Sequence, residues 1–294
     1  MKYSTIAIIY NPNSTGSGKT LATELKKDLA LRMPKQTVEL LKTTHAGHGE
    51  EIAYRLAKKH TNPLIISASG DGGYHEVING ALKAQHEGAK PITGLLPAGN
   101  ANDHYHNLHR TDTTDTIVNG TTRDIDVLTL EGVSKGKKLM RYAHSYIGFG
   151  ITPKAGSELN KHKLNFFNQI WLVLRVLFTA KSVKLRIKGR THHYDSVITG
   201  NVEKMSKVLK VSKSSRITDG KFEVTMFRRR TRLTLIGLLL HASLLGAKED
   251  MRVSTFSLRT VRATLVQADG EISQLDSDTN VMIGIEKQAL RCIV

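Results

Sequence analysis

The sequence predicts an α/β domain followed by a second, mostly antiparallel β domain. Before Arg123, short β-rich runs alternate with helical patterns, which is the signature of βαβ units on a parallel sheet. After Arg123 the texture changes to period-two alternation, as in Val183-Lys184-Leu185-Arg186-Ile187-Lys188, with turns marked by Asp-Gly. These two textures place the domains at 1–124 and 125–280. The last run, Val281 to Ile285, opens a C-terminal segment, 281–294, for which a return to the first domain is the expectation.

In the first half the predicted strands are Thr5 to Tyr10, Leu64 to Ala68 and Ile92 to Leu96. Helices are predicted at about Ser17 to Leu31, His48 to His60 and Tyr74 to Gln85, each with apolar residues at three- and four-residue spacing. The N-terminal apolar run is too short for a signal peptide and reads as the first strand. In an open α/β sheet a ligand sits where strand ends meet the following loops, because backbone amides and helix N-termini point there.

In the second half the alternation directs valine, leucine and isoleucine inward and Lys184, Arg186, Lys188 and Arg190 outward. Two apolar stretches interrupt it: Phe166 to Phe178, and Leu233 to Gly246 after the basic run Arg228-Arg229-Arg230-Thr231-Arg232. Neither reaches the roughly 20 residues that a membrane-spanning helix needs. They read as helices covering the core, and a basic flank beside an apolar helix also suits an anionic membrane surface.

Composition narrows the partners. A net charge of +17 favours anionic ones. Only 5% of residues are aromatic, and no stretch interleaves aromatic with basic positions, so nucleic acid is set aside. The single cysteine, Cys292, reads as a plain buried thiol and fits a reducing cytoplasm.

Three turns carry the chemistry. Asn11-Pro12-Asn13-Ser14-Thr15-Gly16-Ser17-Gly18-Lys19-Thr20 follows a strand and opens a helix, but Asn13 replaces the first glycine of a strict P-loop. Its small residues still offer amide donors to an anion, and Lys19 supplies charge. In Ser69-Gly70-Asp71-Gly72-Gly73, glycines permit backbone approach to a phosphate, and Asp71 is of the type that holds magnesium beside one. Leu96-Pro97-Ala98-Gly99-Asn100-Ala101-Asn102-Asp103 is the third. Three polar, glycine-bearing strand ends on one sheet point to a single nucleotide crevice.

In this order the turns resemble the catalytic domain of the diacylglycerol kinase family, in particular its soluble bacterial lipid kinases. The matching residues are Asn11-Pro12-Asn13-Ser14, Gly70-Asp71-Gly72, Glu76-Val77-Ile78-Asn79-Gly80 and Asn102-Asp103. The likeness continues through Ile125-Asp126-Val127, Asp219-Gly220-Lys221-Phe222 and Asp269-Gly270-Glu271. NAD kinases share the glycine-aspartate turn but lack the Glu-Val-x-Asn-Gly tail.

The resemblance implies a nucleotide-binding α/β domain followed by an antiparallel β-sandwich, with the site between them. It implies ATP contacts from Asn11, Pro12, Asn13, Ser14, Thr15, Thr44 and the Gly70, Asp71, Gly72, Gly73, Glu76 turn, alongside Lys19, Gly99 and Asn100. Glu271 would be the general base on a lipid hydroxyl, with Asp71 and Asp126 organising magnesium around the phosphates. A structural magnesium would take a side chain from Asp219 and backbone carbonyls from Arg216 and Lys221. The implied protein is cytoplasmic, peripheral to the inner face of the membrane, and acts on diacylglycerol or a related lipid. An exposed edge strand in the second domain would suit a homodimer.

The family's glycine and threonine around the aspartate are here Ser69 and Gly73, and its threonine before Asn102-Asp103 is Asn100. Two nucleotide-binding hydroxyls are therefore missing, which leaves weaker ATP binding or a different phosphoryl donor open. An NAD kinase-like phosphotransferase on a soluble substrate, and a non-catalytic binder of anionic lipid, are the alternative readings. His104, His106 and His109 lie close together without the spacing of a tight metal site, so they read as decoration of a helix opening. His192-His193 read as a solvated strand, and Trp171 as a core or interface residue.

Overall fold

The structure, a computed structural model, describes residues 2–13, 17–99, 102–108, 112–160, 175–176, 179, 181–205, 209–210, 215–246 and 251–294. It separates into two compact units, Met1–Ile125 with Gln288–Val294, and Asp126–Lys287.

The first unit alternates β1 (Ile6–Tyr10), α1 (Gly18–Arg32), β2 (Val38–Lys42), α2 (His48–Lys59), β3 (Leu64–Ser69), α3 (Asp71–His86) and β4 (Ile92–Pro97), then α4 (Asp103–Leu108) and α5 (Thr113–Asn119). The strands run parallel in the order β2-β1-β3-β4. Helices on both faces explain why β3 reads as an unbroken apolar run: its first five residues are all buried. Ile6, Ile8, Leu64 and Ile66 form the core with Ala22, Leu25 and Leu29 of α1. Each of the leucines and isoleucines contributes about 1.5–3 kcal/mol by leaving water.

Strand β2 was not among the predicted strands. It is the sheet edge, and Val38-Glu39-Leu40-Leu41-Lys42 is only half-buried, so it lacks the apolar continuity of its neighbours. Helix α5 is set by local chemistry. Asp112 accepts from the Thr114 and Asp115 amides, and Gly120, at φ 70°, closes the other end.

The remaining strand of this sheet comes from far along the chain. Near the end of β17 (Asn280–Ile293), Cys292 lies parallel to Thr93 of β4, while Ile293 packs beside Gly94. Arg291 forks both carboxylate oxygens of Asp124, at 2.8 and 3.0 Å. Burial pushes the Cys292 thiol up to about 12, which makes it chemically quiet.

The second unit is antiparallel. It contains most of β5 (Thr122–Ser134), then β6 (Lys137–Ala143), β7 (Tyr146–Gly150), α6 (Ile151–Asn160), β8 (Val183–Ile187), β9 (Arg190–Gly200), β10 (Lys204–Met205), β11 (Leu209–Lys210) and β12 (Phe222–Arg228). Helix α7 (Arg232–Leu245), β13 (Met251–Val253), β14 (Thr255–Thr260), β15 (Thr264–Ala268), β16 (Glu271–Leu275) and the start of β17 complete it. The ladder runs β16-β15-β7-β9-β8-β14-β17, with β12 on β9. Phe149, Leu185, Val197, Phe222, Val224 and Ile283 fill its core. Lys184 and Arg186 face outward from β8, as its alternation requires. Val281 to Gly284 pair with β14 in this unit, and the residues grouped with the first unit are Gln288–Val294.

Helix α7 covers the predicted Leu233 to Gly246 stretch, whereas most of Phe166 to Phe178, Trp171 included, lies outside the described residues. Among the described residues no helix is long and apolar enough to cross a membrane.

Candidate active site

Parallel strands bring the carboxyl ends of β1, β2, β3 and β4 to one edge of the first unit, and the predicted nucleotide contacts among the described residues lie on the loops and helix starts that follow them. After β1, Asn11 Oδ1 accepts from the Asn13 amide at 2.9 Å, which folds Asn11-Pro12-Asn13 into a tight turn. Ser14 and Thr15 lie outside the described residues. Helix α1 then starts with no side-chain cap from Ser17, and Lys19 is exposed in its first turn. Its leading amides remain available to an anion.

After β2, the Thr44 hydroxyl lies 3.0 Å from Nδ1 of both His45 and His48, whose rings stack at 4.7 Å. The two histidines escaped the sequence reading, although their i, i+3 spacing across Thr44's loop was visible.

After β3, the helix begins at Asp71, three residues earlier than predicted. Glycine lowers helix propensity, which hid the start, but Gly72 and Gly73 sit in the first turn where backbone proximity matters more. A Cβ on Gly70 would lie 3.0 Å from the Gly99 Cα, so the loops after β3 and β4 meet backbone to backbone. Asp71 fastens them: its oxygens accept from the Asp103 and His104 amides at 3.0 and 3.2 Å. Asn102, at φ 53°, closes the Gly99 loop by accepting from the Gly99 amide and donating to its carbonyl. Asn100 and His109 are outside the described residues.

Glu76 behaves similarly one turn further on. Its two oxygens accept from the Gly47 and Gly49 amides at 2.7 and 2.8 Å, which anchors the loop carrying Thr44 and the start of α2. A Cβ on Gly80 would strike the Glu50 carbonyl, so that glycine lets α2 and α3 touch. Asn79 donates to the His75 carbonyl at 2.8 Å. The Glu76-to-Gly80 stretch is thus the clasp between two helices.

The exchange at positions 69 and 73 has a steric logic. A Cβ on Gly73 would lie 2.5 Å from Ser69 Oγ. The Ser69 hydroxyl therefore fills the space that a side chain at 73 would take, and it bonds Ser67 Oγ at 2.7 Å and the Gly70 carbonyl at 2.9 Å.

In the second unit, buried Asp126 is joined to the loop 217–220. Its amide donates to the Ile217 carbonyl at 2.7 Å, and its Oδ2 accepts from the Gly220 amide at 2.6 Å. Asn201 donates to its carbonyl at 3.1 Å. Arg216, Asp219 and Lys221 lie on this same loop, where Asp219 accepts from the Lys221 amide at 3.0 Å and from the Arg252 guanidinium. Arg252 also reaches Glu223 at 3.3 Å. Here the Arg252 guanidinium is the partner that the Asp219 carboxylate has in place. No group of three or more His, Cys, Asp or Glu side chains placed to hold a metal occurs among the described residues.

Glu271 opens β16 and is exposed, directly after the tight turn Asp269-Gly270. Both turn residues have positive φ, 47° and 104°, as a two-residue hairpin requires. Asp269 is fully buried, and its oxygens accept from the amides of His144, Ser145 and Tyr146 at 2.6, 2.9 and 3.0 Å. The hairpin that displays Glu271 is therefore fixed to the turn before β7. Sequence reading listed Asp269 without a role and missed His144 and Ser145.

Residues 5–130, the stretch holding all three turns, match the diacylglycerol kinase catalytic domain. That stretch, less than half of the chain, is similar to the family's catalytic domain. It is 34% identical over 135 residues to a diacylglycerol kinase of Bacillus subtilis, covering 42% of this chain and 41% of that one. Over 169 residues it is 29% identical to the mouse mitochondrial acylglycerol kinase, covering 53% and 38%. A longer match, 235 residues at 25% identity, reaches 76% of this chain and 72% of a diacylglycerol kinase of Staphylococcus carnosus. The first two matches thus span about four-tenths of those relatives' own length. In fold, the chain resembles the crystal structure of a diacylglycerol kinase from Bacillus anthracis strain Sterne, with TM-score 0.71, 18% identity, and 100% and 97% of the two chains covered.

Proposed function

We propose that the chain is a lipid kinase that transfers the γ-phosphoryl of ATP to the hydroxyl of diacylglycerol or a related lipid at a membrane surface. The observation that carries this reading is the convergence of three strand-end loops, those after β2, β3 and β4, tied by two carboxylates, Asp71 and Glu76, inside the stretch that matches the family. Phosphoryl transfer asks for positioning and charge neutralisation more than for covalent chemistry. Tied glycine loops that expose amides supply the first, and Lys19 contributes to the second.

The roles follow from the chemistry of each group. The α1 N-terminus and the Gly70–Gly73 turn hold phosphate oxygens through amides, and Ser69 supplies the hydroxyl that the family carries at position 73. Glu76 positions the Thr44 loop and touches no ligand itself. Magnesium, when bound with the nucleotide, would offset phosphate charge, and Asp71 and Asp126 are carboxylates of the type that hold it. Glu271 takes the proton from the attacking lipid hydroxyl, which suits an exposed carboxylate on a fixed hairpin.

The test is transfer of label from γ-labelled ATP to lipid in the presence of vesicles. Glu271→Gln should lower turnover by about 10²–10⁴-fold with the melting temperature unchanged. Label appearing only in a soluble acceptor such as NAD, or full activity in the variant, refutes the reading.

A further inference from the structure

One face of the second unit carries a groove of about 620 Å³ whose rim is basic. Its cations are Lys138, Arg186, Lys188 and Arg259. On adjacent strands β14 and β8, Arg259 stands directly opposite Arg186. Like charges directly opposed across a ladder destabilise it, so something of opposite sign is needed there. The protein supplies part of it. Asp278 forks Arg259 with two 2.7 Å bonds, and the Arg186 charge helps to hold that carboxylate below its ordinary range. Glu131 answers Lys138 at 3.6 Å. Among the described residues no carboxylate lies within ion-pair distance of Arg186 or Lys188, and the only hydrogen bond described for the Arg186 side chain is to Thr191 Oγ1, at 3.3 Å. Four cations thus share two carboxylates.

Backbone geometry fixes the arrangement. Lys188 and Gly189, with φ of 49° and 75°, form the two-residue turn between β8 and β9 that places Lys188 at the rim. Met282, an exposed apolar side chain, lies in the same groove beside Ser257. Guanidinium groups favour phosphate oxygens because their donors match in pairs. We propose that this groove is a phosphate-binding site and that its ligand is the headgroup of an anionic phospholipid, with Met282 against the adjoining apolar part. The site docks the second unit onto charged membrane. The choice of a lipid over another phosphate rests on the lipid-kinase reading; the test reads binding without turnover, so either can fail alone.

The full chain is sedimented with vesicles of phosphatidylcholine alone or with one-third phosphatidylglycerol, and inorganic phosphate is titrated separately. Each basic residue near an anionic surface is worth about fivefold in partitioning, so Arg186→Gln with Lys188→Gln should weaken binding to the mixed vesicles roughly thirtyfold. Ser257→Glu, which puts a carboxylate in the groove, should weaken it similarly. A control pair on the first unit, Lys27→Gln with Lys35→Gln, should change it less than about threefold. Detergent-dispersed kinase activity should stay the same in all variants, and the melting temperature should hold or rise slightly in the groove variants, which relieve the Arg186–Arg259 repulsion. Equal losses in the groove and control pairs would show diffuse attraction and overturn the site. Binding of inorganic phosphate without vesicle binding would overturn the headgroup, and unchanged binding in both groove variants would overturn the whole proposal.

Discussion

Asp269→Asn isolates what holds the candidate base in place. Asparagine has nearly the same volume and tolerates the left-handed φ of 47° at this position, so neither packing nor backbone strain changes. What changes is the acceptor set. Two oxygens now serve three amides: Oδ1 takes Ser145 and Tyr146, and Oδ2 takes His144. In the variant one oxygen becomes an NH₂ that faces an amide donor. A hydrogen bond to a charged group is worth about 1.5–3 kcal/mol, and a buried unsatisfied donor costs about 1–3 kcal/mol, so roughly 3 kcal/mol is the expected loss. For a unit of this size that lowers the melting temperature by about 6–12 °C. Differential scanning calorimetry reads it directly. Turnover should fall too, because the Glu271 hairpin loses its anchor, whereas Glu271→Gln should leave melting unchanged. A shift below about 2 °C would refute the idea that the buried carboxylate fixes the hairpin.

Two further outcomes follow from the first unit. Gly73→Thr alone should impair ATP binding and stability, since its Cβ meets Ser69 Oγ; adding Ser69→Gly should restore most of both, and a double variant no better than Gly73→Thr would refute the steric account. Arg291 holds the Asp124 carboxyl below its ordinary value of 3.8, chiefly through its hydrogen bonds. The stabilisation is complete above that value and is lost as pH falls through the lowered one. Melting measured from pH 5 to pH 2 should therefore fall more steeply in the natural chain than in Asp124→Asn, and less so in high salt, since both side chains are more than a third exposed; parallel profiles would count against it.

The two-texture reading of the chain was sound because buried parallel strands and half-solvated antiparallel ones leave different periodicities, as β3 and β8 show. Edge strand β2 left a weaker imprint, being neither wholly buried nor cleanly alternating. The candidate residues were legible where chemistry and backbone coincide, in the glycine turns. Partnership across the chain was not. Nothing local in Glu76 announces that its carboxylate serves Gly47 and Gly49, nor in Asp219 that Arg252 claims it. Such pairings join residues roughly 30 apart in sequence, and only the fold decides them.

The parallel contact between β4 and the end of β17 also has a timetable. Thr93 donates to the Arg291 carbonyl across 198 residues of sequence. At roughly 5–20 residues per second, a ribosome needs about 10–40 s to deliver that partner after Thr93 itself has been made. Through that interval the β4 edge of the nascent sheet stands open to any passing strand, and crowding on a polysome supplies identical ones. Newly made chains are thus most vulnerable to mispairing late in their own synthesis, when the first unit is otherwise ready to close.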